Sequence, residues 1–142
     1  ENGFTVERSV GGIPTAFTAT YGTKGPRMGI LAEYDALSGM SQEGCIAEKK
    51  SIPGKDTCHG CGHNLFAGGS VAAALAVKKY IEETGRGQVT LFGCPAEEGG
   101  GGKVFMILDG RFDDVRKQAW KPFSEIKSQL RGSSDQTIPL LG

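Results

Sequence analysis

Residues 65–92 read LFAGGSVAAALAVKKYIEETGRGQVTLF. The first twenty are the clearest helix in the chain. Apolar Val71, Leu75, Ala76 and Ile81 follow helical spacing, and Lys78, Lys79, Glu82 and Glu83 gather toward the end. Asn64 is placed to cap the amino end and Gly85 to stop the carboxyl end. Past that stop, Gln88–Phe92 (QVTLF) predicts a strand. Upstream, Met28–Ala32 (MGILA) is a short apolar run that predicts a buried strand, with acidic Glu33 and Asp35 at its carboxyl end. A strand–helix–strand passage predicts α/β architecture, with helices packed on a sheet.

Working outward, Ile13–Thr20 (IPTAFTAT) is β-branched and partly alternating, which predicts a further strand. Residues 38–60 are rich in Ser, Gly, Lys and Pro and form a long loop; loops of more than ~12–15 residues are often functional. Lys103–Leu108 predicts a short helix and Phe123–Leu130 one more, while residues 132–142 (GSSDQTIPLLG) read as irregular.

The chain has 142 residues, the size of one domain. Its 16 basic and 16 acidic residues cancel, which argues against a dedicated nucleic-acid surface. No apolar run approaches the roughly 20 residues of a membrane helix, and the first residues show no signal-peptide pattern. A cytoplasmic protein is expected. Glycine is the outlier: 23 residues, roughly twice the usual ~7%. They cluster, which marks places where the backbone turns tightly or approaches a ligand. Cys45, Cys58, Cys61 and Cys94 read as thiols or metal ligands rather than disulfides.

Two loops carry the chemistry. The first is Cys58-His59-Gly60-Cys61-Gly62-His63-Asn64, immediately before the long helix, and both histidines of the chain lie in it. Gly62 lets the backbone turn so that Cys61 and His63 face one point. Thiolate and imidazole suit zinc and its borderline-soft relatives. A C-x-x-C redox pair is the competing reading, although it leaves His63 without a role. A c-type haem needs His at position 62, and a structural zinc knuckle needs a second Cys/His pair.

The second loop is Gly93-Cys94-Pro95-Ala96-Glu97-Glu98-Gly99-Gly100-Gly101-Gly102-Lys103, after a strand. Two adjacent carboxylates there point in different directions, so one can bind a metal while the other handles a proton. A solvated acidic turn is the bland alternative, but such a turn has no need of four glycines. A phosphate loop needs Ser or Thr where Val104 stands. Both loops are expected at the crevice outside the carboxyl ends of the strands. Cys61, His63 and Glu98 would then supply metal ligands, and Glu97 would activate the attacking water as general base. A metal there polarises a carbonyl and acidifies water, which describes hydrolysis of an amide.

GGIPTAF, AEYDALSG, HGCGHN, GCPAEEGGGGK and FDDV together resemble the amidohydrolases of aminobenzoyl-glutamate utilisation, in their B-type group. That group belongs to the co-catalytic metallopeptidase and aminoacylase family, which also holds hippurate and indole-acetyl-amino-acid hydrolases. The likeness covers roughly residues 1–115, and the pairing of CGHN with PAEE makes it specific. It implies an aminopeptidase-like (phosphorylase/hydrolase-like) catalytic domain: a mixed sheet with flanking helices and a two-metal site holding Mn2+ or Zn2+. The implied substrate is an N-acyl amino acid or dipeptide-like amide of the p-aminobenzoyl-glutamate type. Cys61 and His63 match the first two ligands, Glu97 the general base and Glu98 the next ligand. Asp35 matches the acid of a DALP-like turn and is implied to orient a ligand.

The sequence also departs from that pattern. Where a ligand histidine is expected in Trp-His-Pro, it has Trp120-Lys121-Pro122, and protonated Lys cannot ligate. No histidine follows His63, and the inserted lid and dimerisation domain has no counterpart. The expectation is therefore a partial catalytic domain over residues 1–122 and an unplaced tail over 123–142, with three of five protein ligands. A non-catalytic metal-binding or interaction module stands beside the enzyme reading. A shortened sheet exposes edges, which predicts a homo-oligomer or association with a full-length relative.

Overall fold

The computed structural model describes residues 2–115. Four strands and two helices follow a simple order: β1 (Thr5–Arg8), β2 (Phe17–Lys24), β3 (Arg27–Glu33), α1 (His63–Thr84), β4 (Gly87–Cys94) and α2 (Gly102–Leu108). The sheet runs β1-β2-β4-β3. β4 is antiparallel to β2 and parallel to β3, with Glu33 in register with Cys94. This is the expected mixed α/β sheet, and β3–α1–β4 is its crossover unit.

The central strand explains the packing. Successive side chains of β4 point to opposite faces. Val89 and Leu91 meet Ala74 and Ile81 of α1, together with Ala19 and Ala32 of the sheet. Phe92 and Cys94 meet Val10, Ala16 and Met106 on the other face. Both faces of β4 are covered, so Val89 to Cys94 are all buried. Ser70 ties α1 to β3, its hydroxyl donating to the Leu31 carbonyl at 2.6 Å.

Several expectations need correction. The strand expected at Ile13–Thr20 lies at Phe17–Lys24. Residues 10–16 are taken up by local turns instead: the Ile13 N–H donates to Val10 and the Ala16 N–H to Ile13. β1 has no sequence signal, because all four of its residues are exposed. The α1 cap is Gly62 rather than Asn64. Its φ of +72° is a left-handed conformation that favours glycine, and its carbonyl accepts from Leu65 and Phe66. Gly85 closes the helix as expected, its N–H donating to Ile81 at 2.8 Å. Residues 38–60 contain no helix or strand, only turns and the isolated bridge of Leu37 with Cys58. The helix expected at Phe123–Leu130, the Trp120-Lys121-Pro122 segment and the tail from 123 lie outside the described residues. Among the described residues, no helix is long and apolar enough to cross a membrane.

Candidate metal centre

Three chain segments converge at the carboxyl ends of the parallel strands. β3 ends at Glu33, and Asp35 follows two residues on. β4 ends at Cys94, and the next turn carries Glu97 and Glu98. α1 begins at His63. A crevice at such a place is where open α/β sheets bind ligands.

His63 is the centre of the cluster and only 6% exposed. Its Nδ1 lies 3.2 Å from the backbone carbonyl oxygen of Asp35. The contact fixes the orientation of the ring and turns Nε2 to the opposite side. Glu33 Oε2 faces that nitrogen at 3.3 Å and Glu97 Oε2 at 3.7 Å. On the Nδ1 side stand Asp35 Oδ1 at 3.8 Å and Glu98 Oε1 at 3.7 Å. The imidazole therefore separates two pairs of carboxylates.

This donor set fits a cation. Asp35 Oδ1 and Glu98 Oε1 are buried and have no hydrogen-bond partner. Buried acceptors left this way cost free energy unless something positive satisfies them. Burial pushes the Asp35 carboxyl upward, but the backbone N–H groups of Glu98 and Glu97 and the nearby His63 outweigh it, so Asp35 is held below its usual value. Across the ring, one donor atom each from Glu33, His63 and Glu97 lie within 4.8 Å of one another, close enough to share an ion.

The residues singled out from sequence thus come together. The Cys61 thiol is exposed, and the neighbouring Glu98 carboxylate, with lesser contributions from burial, Glu97 and Asp35, raises its pKa. Glu97 and Glu98 differ in setting, their side chains being 40% and 20% exposed. Solvent reaches Glu97 more freely, while Glu98 is fixed by its N–H, which donates to Asp35 Oδ2 at 3.0 Å. Cys94 belongs to the core instead, where burial pushes its thiol up to about 11. Cys58 pairs with Leu37 through its backbone, and Cys45 is exposed.

Sequence reasoning assigns no role to Glu33 or Lys103. Lys103 pairs with Glu33 Oε1 across the mouth of the cluster. The available signal is the spacing of Glu33 and Asp35, two residues apart at a strand end.

Residues 29–130 match the family model described as Peptidase family M20/M25/M40. The chain belongs to this peptidase family. It is 50% identical over 122 residues to a subunit of the p-aminobenzoyl-glutamate hydrolase of Escherichia coli K12, an alignment covering 84% of this chain and 25% of that protein. It is 36% identical over 114 residues to the mouse Xaa-Arg dipeptidase, covering 73% and 22%. Among solved structures it resembles the YXEP protein of Bacillus subtilis, described as a dinuclear metal binding peptidase of the M20 family. The TM-score is 0.64 at 22% identity, covering 80% of this chain and 31% of that one. That likeness shows the fold of this chain to be that of the M20 peptidases. The chain spans about a quarter of the length of these two sequence relatives.

Proposed function

We propose that this chain carries part of the catalytic centre of a metal-dependent amidohydrolase that cleaves an amide bond in N-acyl amino acids or dipeptide-like compounds. The p-aminobenzoyl-glutamate type is the first candidate substrate, because the relative at 50% identity is named for it. One observation carries the reading: two buried, partnerless carboxylate oxygens, on Asp35 and Glu98, flank a buried histidine at the carboxyl ends of parallel strands.

His63, Glu98 and Cys61 would hold the metal, either Mn2+ or Zn2+. Carboxylates favour the first and the thiol and imidazole the second. The metal supplies Lewis-acid polarisation of the scissile carbonyl and a lower pKa for water. The rest of the chemistry falls to the chain. Glu97, the more exposed of the two adjacent carboxylates, accepts the proton of the attacking water at its carboxylate and passes it to the leaving nitrogen. The Asp35 carbonyl orients the His63 ring, and the Asp35 carboxylate holds the Glu98 backbone.

Elemental analysis of the purified chain tests the centre. Stoichiometric zinc or manganese, lost in His63→Ala, is the expected result. Glu97→Gln should keep the metal and abolish hydrolysis of N-acyl-glutamates. Metal-free wild-type protein after refolding with either ion would refute the proposal.

A further inference from the structure

The ion pair of Lys103 with Glu33 sits in a place where a lysine is otherwise hard to explain. An ammonium beside a cation site repels the cation. Yet the loop before Lys103 is shaped to bring it there. The Gly102 N–H donates to the Ala96 carbonyl at 3.3 Å, and a Cβ on Gly102 would collide with the Pro95 carbonyl oxygen. Only glycine permits this fold-back, and α2 then starts with Lys103 in its first turn. Glu33, for its part, shares the Nε2 side of His63 with Glu97. Two carboxylates around one nitrogen repel each other, so Glu33 needs a restraint to stay. Lys103 takes Glu33 Oε1 and leaves Oε2 aimed at His63 Nε2, 3.3 Å away. Both side chains are less than one-third exposed, so the pair is more confined than a freely solvated surface bridge.

We infer that Lys103 and Glu33 form a positioning pair for the metal centre, in which Lys103 fixes the Glu33 carboxylate against His63 Nε2. The inference rests on the proposed metal-dependent function. It adds two residues to the centre, neither of which need touch substrate.

The test is titration of the metal-free chain with Co2+ and Zn2+, following the visible Co2+ absorption and the binding isotherm. Variants Lys103→Met, Lys103→Arg, Glu33→Gln and Glu33→Asp are compared with wild type. Thermal melts of each metal-free protein check that it folds. Loss of an orienting contact weakens metal binding by about 10- to 100-fold. Lys103→Met should fall in that range and shift the Co2+ band, although it removes a repelling charge. Lys103→Arg should restore binding. Glu33→Asp keeps the charge but shortens the reach, so it should weaken binding as Glu33→Gln does. Binding by Lys103→Met as tight as wild type or tighter, with an unchanged band, overturns the pair while leaving the metal centre intact. A folded wild-type chain that takes up neither ion overturns both.

Discussion

The backbone N–H of Glu98 donates to Asp35 Oδ2 across 3.0 Å, tying the turn after β4 to the turn after β3. The two residues are far apart in sequence, and this bond sets where Glu98 Oε1 lies relative to His63. Replacing Asp35 with Ala leaves that part-buried N–H without its acceptor, which costs about 1 kcal/mol, the low end for a lost hydrogen-bond partner. The metal-free Asp35→Ala protein should therefore melt several degrees below wild type. Asp35→Asn retains an oxygen and should lose less. Differential scanning calorimetry of the two variants checks the order; equal melting points for Ala and Asn would count against a role for this bond.

Acid should unfold the metal-free chain in a characteristic window. Asp35 is held low by backbone N–H groups that outweigh its burial, Glu82 by Lys78 and Asp109 by Arg111. A carboxyl whose folded value lies below its unfolded one stabilises the fold above the unfolded value, roughly pH 4, and loses that contribution as pH falls through the folded value. The melting temperature should be level from about pH 7 to 5 and drop from about pH 4 downward. Glu82 and Asp109 pair at exposed positions, where salt screens them. In high salt the remaining slope should belong mainly to Asp35 and shrink in Asp35→Asn. An unchanged slope in that variant would remove Asp35 from the account.

Gly102 should be among the least replaceable residues of the loop. An alanine Cβ there meets the Pro95 carbonyl, a backbone atom that cannot swing aside as a side chain can. Overpacking of this kind costs about 1–3 kcal/mol. The shift also moves Lys103, so Gly102→Ala should lower both the melting point and metal affinity. Gly99→Ala has open space around its Cβ and should be nearly silent. A Gly102→Ala protein with wild-type melting and binding would show that the loop adjusts freely.

Much of this architecture is legible in the amino-acid sequence. MGILA, the long helix and QVTLF mark the crossover unit, but the expected burial holds only in part: β3 is an edge strand with Met28 and Leu31 exposed, and α1 buries Ala74 and Ile81 while Val71 and Leu75 face outward. Cys61, His63, Glu97 and Glu98 stand out because metal-ligating types are rarely so dense. β1 is silent because an exposed edge strand buries nothing and so needs no pattern. The cap shifts from Asn64 to Gly62 because the backbone enters α1 in a left-handed turn, which overrides side-chain capping preference. Glu33 is visible only as charge at a strand end. Its role depends on Lys103, seventy residues away, and local spacing does not carry that pairing.

The helices also leave apolar surface uncovered. α2 turns Met106 into the core but presents Val104, Phe105, Ile107 and Leu108 outward, Leu108 at 80% exposure. α1 exposes Leu65 and Phe66 near its start. A helix apolar all round is normally buried within a larger body, and exposed patches of this kind mark interaction surfaces. The expected behaviour is self-association at micromolar concentration with strong binding of a hydrophobic dye. The double variant Val104→Ser, Leu108→Ser should raise the monomer fraction in sedimentation velocity. Both positions are exposed, so it should barely alter the melting temperature. Wild-type protein that sediments as a clean monomer and binds no dye would show that these residues cover one another in solution. The apolar faces of α1 and α2 would then need no partner.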